Sequence, residues 1–91
     1  MNNEYSYPLD YDWSTEEVLY VMSFYQAVEI GYEEGVLAGK FEEAYKDFKE
    51  IVPSKSEEKK LFKEYEKVSG KVPYLLIKQL KDAEPSDIIK P

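Results

Sequence analysis

Asp10, Asp12 and Ser14 stand at alternate positions, the spacing with which a calcium-binding loop opens its ligand set. Such a loop needs a glycine at its sixth position and a bidentate glutamate at its twelfth, and Thr15 and Val21 hold those places. Ser56 and Lys59 have the SxxK spacing in which a lysine activates a serine nucleophile. The companion motifs of that class are absent, and a helix start explains the serine better. Glu16 and Glu17 are neighbours on a helix and so diverge by roughly 100°, whereas acid–base work needs carboxylates that converge in a pocket. The chain has no cysteine and no histidine, which removes thiolate and imidazole chemistry and any disulfide framework. An enzyme would have to work with carboxylates, tyrosines and lysines alone. No catalytic residue, metal ligand or cofactor is therefore expected.

The elements that would position any site are helices. Ser14 and Glu17 have the spacing of a capping box, so a helix is expected from Thr15. Val18, Val21, Phe24, Tyr25, Val28 and Tyr32 fall on one broad arc of it, with Gln26, Glu29 and Glu33 assigned to the other side. Leu19, Met22 and Ile30 interrupt the polar side, which predicts a central helix with neighbours on more than one flank. Ala27 and Gly31 share a line along which a crossing helix could approach closely. Gly31, Gly35 and Gly39 repeat every fourth position, but Glu33, Glu34 and a turn lie inside that span. A packing and capping role is expected there rather than helix dimerisation.

A second helix carries Leu37, Phe41, Ala44, Tyr45, Phe48 and Val52 on one third of its surface and stops at Pro53. Ser54 and Glu57 repeat the capping-box spacing before a third helix, which packs through Leu61, Phe62, Tyr65 and Val68 and ends at Gly70. Its Lys59, Lys63 and Lys67 read as a solvated face supported by pairs such as Lys60 with Glu64. Pro73 suits the start of a short fourth helix carrying Leu76, Ile77, Leu80 and Ala83. The fold class is all-α, a compact bundle or array of four helices. One domain of 91 residues is expected, with residues 1–13 as an extended aromatic arm and 85–91 as a flexible tail. In the arm, Tyr5, Tyr7, Leu9, Tyr11 and Trp13 alternate with polar or turn residues, so one apolar side is presented.

The formal net charge of −7 is unevenly spread: residues 1–39 carry −8 and no lysine, while residues 40–91 carry +1. An acidic field and the absence of arginine argue against nucleic acid as a partner. No apolar run is long enough to span a bilayer, and the start lacks a signal-peptide pattern, so a cytoplasmic protein is expected.

Tyr7-Pro8-Leu9, Trp13 to Glu17, Phe48 to Lys55, Glu57-Glu58-Lys59, Ser69-Gly70 and Pro73-Tyr74, taken in this order, resemble the YktA-like proteins, uncharacterised protein family 0223, of low-GC Gram-positive bacteria. Lys71 departs from the pattern, which has an aromatic there. The resemblance implies a bacterial cytosolic protein with an all-helical fold and implies no activity. The reading that follows is a non-catalytic interaction protein that docks a protein partner through Tyr5, Tyr7 and Tyr11 of the arm and Glu16 and Glu17 at the acidic start of the first helix. A small carboxylate and tyrosine enzyme and a purely self-associating homodimer are the alternatives.

Overall fold

A computed structural model describes residues 6–91 of the chain. Helix α1 (Thr15–Glu33) opens on a complete capping box: the Glu17 amide donates to Ser14 Oγ at 3.2 Å and the Ser14 amide to Glu17 Oε1 at 2.9 Å. Its buried arc of Val21, Phe24, Tyr25, Val28 and Gly31 packs on α2 (Ala38–Ile51), whose Phe41 and Phe48 are equally inaccessible. Helix α3 (Lys55–Ser69) follows the Pro53 break and adds Leu61 and Tyr65 to the core, and the short α4 (Tyr74–Ile77) adds Leu76. A 3-10 turn at Leu80–Asp82 then leads into the C-terminal segment. The protein is predominantly helical, a four-helix array around one aromatic core, as its periodicity predicts.

Three expectations about these elements are corrected. Leu19 and Ile30 remain exposed, because α1 packs along a single arc and its other flank faces solvent. Val68, assigned to the packing stripe of α3, is exposed as well. At the start of α3 only the serine half of the cap forms: the Glu57 amide donates to Ser54 Oγ at 3.3 Å, with no return bond from the Ser54 amide to the Glu57 carboxylate among the described residues.

A larger correction concerns the expected absence of strands and the expected loose tail at 85–91. Val36–Leu37 (β1) and Ile88–Ile89 (β2) form a two-residue antiparallel ladder, with Val36 opposite Ile89 and Leu37 opposite Ile88. Ile89 is buried in the core. The same segment caps the start of α2. Its N-cap, Leu37, has no side-chain acceptor, so the Ala38 and Gly39 amides donate instead to the carbonyls of Asp87 at 2.8 Å and Pro85 at 3.0 Å. A Glu84-to-Asp87 turn with Pro85 at its second position presents those carbonyls, closed by the Asp87 amide on the Glu84 carbonyl and the Glu84 amide on Asp87 Oδ2. Gln79 Nε2 holds the far end through the Lys90 carbonyl at 2.8 Å.

The glycine repeat is explained by close approach within the chain. A Cβ at Gly31 would lie 2.9 Å from Leu76 Cδ1, which identifies the crossing helix as α4, and a Cβ at Gly39 would lie 3.2 Å from the Pro85 carbonyl oxygen. Gly35 takes φ +91° and faces Ile88 Cγ2 at 2.5 Å from a built Cβ, so it answers both a left-handed turn and a contact.

Two substitutions test the tail. Ile89→Ala should lower unfolding free energy by about 2–4 kcal/mol, as buried aliphatic truncations do. Gly35→Ala should cost about 1–3 kcal/mol from backbone strain alone. Urea titration followed by circular dichroism measures both, and an Ile89→Ala change within about 0.5 kcal/mol of wild type, the range of an ordinary surface site, would show that the tail does not anchor the fold.

Candidate functional site

The residues proposed from sequence as a docking edge separate in the structure. Tyr5 lies outside the described residues. Tyr7 is half-buried: its hydroxyl donates to the Glu29 carboxylate, 3.0 Å from either oxygen, and its ring lies 5.2 Å from Tyr25 and 6.2 Å from Tyr65. Glu29, assigned to the polar side of α1, therefore borders the buried arc. The arm is pinned a second time by the Tyr25 hydroxyl, which donates to the Pro8 carbonyl at 3.3 Å. Trp13 is half-buried against the core. Tyr11 is fully exposed at the tip of a turn in which the Trp13 amide donates to the Asp10 carbonyl and the Asp12 amide to Asp10 Oδ1. Glu16 is exposed, and Glu17 is engaged in the α1 cap. The arm thus has a structural part, centred on Tyr7, and an accessible part, Leu9 to Asp12 with Glu16.

A second constellation escaped the sequence reading. Tyr45 and Lys49 are one helical turn apart on α2, and both reach Glu58 on α3. Tyr45 Oη donates to Glu58 Oε2 at 2.7 Å and Lys49 Nζ to Glu58 Oε1 at 2.6 Å. Glu58 is the buried charged residue among those described, at 8% exposure, and each of its oxygens holds a donor. Burial pushes the Tyr45 phenol above its ordinary value, and the hydrogen bond and charge of Glu58 push it further in the same direction. The i, i+4 spacing of Tyr45 and Lys49 at the edge of an apolar stripe was a visible signal, but nothing local in sequence identifies Glu58 as their partner.

Tyr45 and Glu58 border a cleft of about 610 Å³ between α3 and the 72–77 segment. Its apolar lining is Phe62, Val72, Pro73, Tyr74 and Ile77, with Tyr74 largely exposed. Lys55, Lys59 and Lys63, four residues apart and so on one face of α3, form its charged side with Glu66. The lysines are exposed, as expected for a solvated face. None of the three makes an ion pair among the described residues, and neither does Lys60 with Glu64. Glu58 is neutralised by Lys49, so the lysine row sets the sign of the cleft. Ser56 turns its hydroxyl toward Ser54 Oγ at 3.2 Å, which leaves the SxxK spacing without a serine–lysine contact among the described residues. Among those residues no cluster of three metal-ligating side chains occurs, and no helix is long and apolar enough to cross a membrane.

A small helical array with an aromatic core, a pinned N-terminal arm and a lysine-edged cleft is the class defined by this geometry. The chain belongs to the Uncharacterised protein family UPF0223, whose model matches residues 4–89. It is 49% identical over 87 residues to a UPF0223 protein of Bacillus cytotoxicus, covering 96% of this chain and 98% of that relative. A UPF0223 protein of Bacillus pumilus is 52% identical over 87 residues, at 96% and 98% coverage, and one of Staphylococcus aureus is 53% identical over 78 residues, 86% of each chain. The resemblance seen in the ordered words of the sequence is thus a family relationship, in low-GC Gram-positive bacteria.

Two predictions follow from the tyrosines. Tyr7→Ala should destabilise the fold by about 2–4 kcal/mol, near the lower part of the range for aromatic truncation because the ring is only half-buried, while Tyr11→Ala should stay within about 0.5 kcal/mol of wild type. Equal effects in denaturant titration would remove the division of the arm. The second concerns pH. Burial raises the phenols of both Tyr25 and Tyr45, with the Glu64 charge adding at Tyr25. The folded chain therefore holds protons that the unfolded chain releases near pH 10. Their stabilisation is complete below that pH and is lost as pH rises beyond it. The melting temperature should fall above pH about 10, and Tyr45→Phe should flatten that fall; an unchanged slope in the variant would show that Tyr45 is not part of it.

Proposed function

We propose that the chain is a non-catalytic protein-interaction module whose binding surface is the cleft between α3 and α4, and that the cleft takes an acidic segment bearing an aromatic or aliphatic anchor. The observation that carries this reading is the combination of an apolar lining with a row of three lysines that have no ion-pair partner among the described residues. Apolar surface supplies affinity for the anchor, and the lysine row selects an anionic flank.

Tyr45 and Glu58 are where tyrosine and carboxylate converge on a cleft, which is what a carboxylate and tyrosine enzyme would require. Both oxygens of Glu58 hold a donor, the Tyr45 hydroxyl and the Lys49 ammonium. A clamp between α2 and α3 accounts for this arrangement, which supports binding over catalysis. A net charge of −7 and the lack of arginine support a protein occupant over nucleic acid.

The test is a titration of isotope-labelled protein with a short synthetic peptide alternating aspartate with tyrosine and leucine. Amide shifts should cluster at Lys55 to Glu66 and Val72 to Ile77. Lys59→Glu with Lys63→Glu should weaken binding at least about tenfold, and the peptide with lysine in place of aspartate should not bind. Shifts confined to another surface, or affinity indifferent to the double reversal, would remove the cleft as the site.

A further inference from the structure

We infer that a second copy of this chain supplies the occupant: the Leu9-to-Asp12 turn of one protomer enters the α3–α4 cleft of its partner, and the contact is reciprocal. This rests on the reading of the cleft as a site for an acidic, apolar-anchored segment. Leu9 and Tyr11 are both exposed on the turn, and Tyr11 has no cover at all. Asp12 and Glu16 are exposed beside them, within a half of the chain that carries −8 and no lysine. The turn therefore presents an aromatic anchor between acidic groups, the complement of an apolar cleft edged by Lys55, Lys59 and Lys63.

The turn does not line its own cleft: no residue from Leu9 to Trp13 borders it. On one side the Pro8 carbonyl is bonded to Tyr25, and on the other Ser14 caps α1, so both ends are fixed on the first helix. Five intervening residues span at most about 18 Å even when fully extended, and here they are folded into a turn closed by the Trp13 amide. Held in this way the turn stays out of its own cleft and is left free for the cleft of another molecule. A two-fold axis makes the contact isologous, with each turn in the other cleft, so the assembly closes as a dimer. Pairing through the exposed α1 flank is disfavoured, because the exposed Glu16, Glu33 and Glu34 on α1 and just beyond it would meet the same charges of the second copy, and α1 itself carries no lysine. Two small contacts predict a weak dimer, dependent on concentration and weakened by salt.

Sedimentation velocity over a wide concentration range, with a charge-swap pair, decides the matter. The wild type should pass from monomer to dimer. The cleft variant Lys59→Glu with Lys63→Glu and the turn variant Asp12→Lys with Glu16→Lys should each associate at least about tenfold more weakly, while circular dichroism shows both folded. Mixed in equal amounts they should form a heterodimer, since reversed cleft then meets reversed turn and native cleft meets native turn. Tyr11→Ser, which changes no charge, should also lose association. A wild type that stays monomeric throughout at low salt, variants that dimerise as it does, or a mixture that fails to associate would overturn the dimer. The aspartate–tyrosine–leucine peptide separates the two readings: if it still binds the cleft of a monomeric wild type, only self-occupancy falls and an acidic segment of another protein is the occupant. If neither association occurs, both fall.

Discussion

The stack of Tyr25 on Tyr65 is the contact on which the fold depends. Both rings are fully buried, their centroids lie 4.5 Å apart and their planes differ by 17°. Burying a phenol removes its hydroxyl from water, and an unmet hydroxyl costs about 1–3 kcal/mol, so each must find an acceptor whose place is then fixed. Tyr65 donates to the Tyr25 carbonyl at 3.4 Å, which ties α3 to α1, and Tyr25 donates to Pro8, which ties the arm to α1. Tyr7 completes the set by packing its ring against Tyr25 at a 31° tilt and donating to Glu29. Elsewhere the Val72 amide donates to Tyr32 Oη at 2.8 Å, which fastens the segment before α4 to the first helix. No buried side-chain nitrogen or oxygen among the described residues lacks a partner. A high tyrosine content is thus used as directional wiring within an apolar core.

The C-terminal segment solves a different problem, the start of α2. A helix needs acceptors for its first amides, and Leu37 offers none. Chain from the far end supplies two carbonyls and buries Ile89 in the process. Because Gly39 and Gly35 both face this segment, its docking also explains why the α1–α2 corner is built from small residues. The cap and the core contact are one event, so α2 is completed only when the last residues of the chain are in place.

How much of this was legible follows from how local each interaction is. The α1 capping box joins residues three apart, and the buried arcs of the first three helices repeat every three or four residues, so a window of the sequence contains them. The ladder is two residues long on each side and its partners are 51 to 53 positions apart, too short for alternation and too distant for a window. The tail read as loose because Glu84, Pro85, Ser86 and Asp87 have the composition of an unattached segment. That composition instead makes the turn that aims two carbonyls at α2. Glu58 was hidden for a related reason: among its neighbours Glu57 and Lys59 it reads as one more surface charge, and only the approach of α2 distinguishes it. Tyr11 and Tyr7 alternate identically in sequence, and only the tertiary position of Tyr25 separates a half-buried ring from an exposed one.

The clamp and the cleft are connected through charge. If Glu58 stood alone at the cleft, its carboxylate and Glu66 would largely cancel the lysine row, and an anionic segment would gain little there. Lys49 reaches Glu58 from α2 rather than from the lysine face of α3, so neutralising Glu58 uses none of the lysines that border the cleft. The pair lies mostly out of solvent, with Glu58 more covered than Lys49, where removing one partner leaves an uncompensated charge and is costly. Tyr45 occupies the remaining oxygen and keeps the carboxylate from turning outward. A structural ion pair between two helices therefore fixes the sign of the neighbouring surface, and it leaves the exposed lysines of α3 as the groups that an acidic partner would meet.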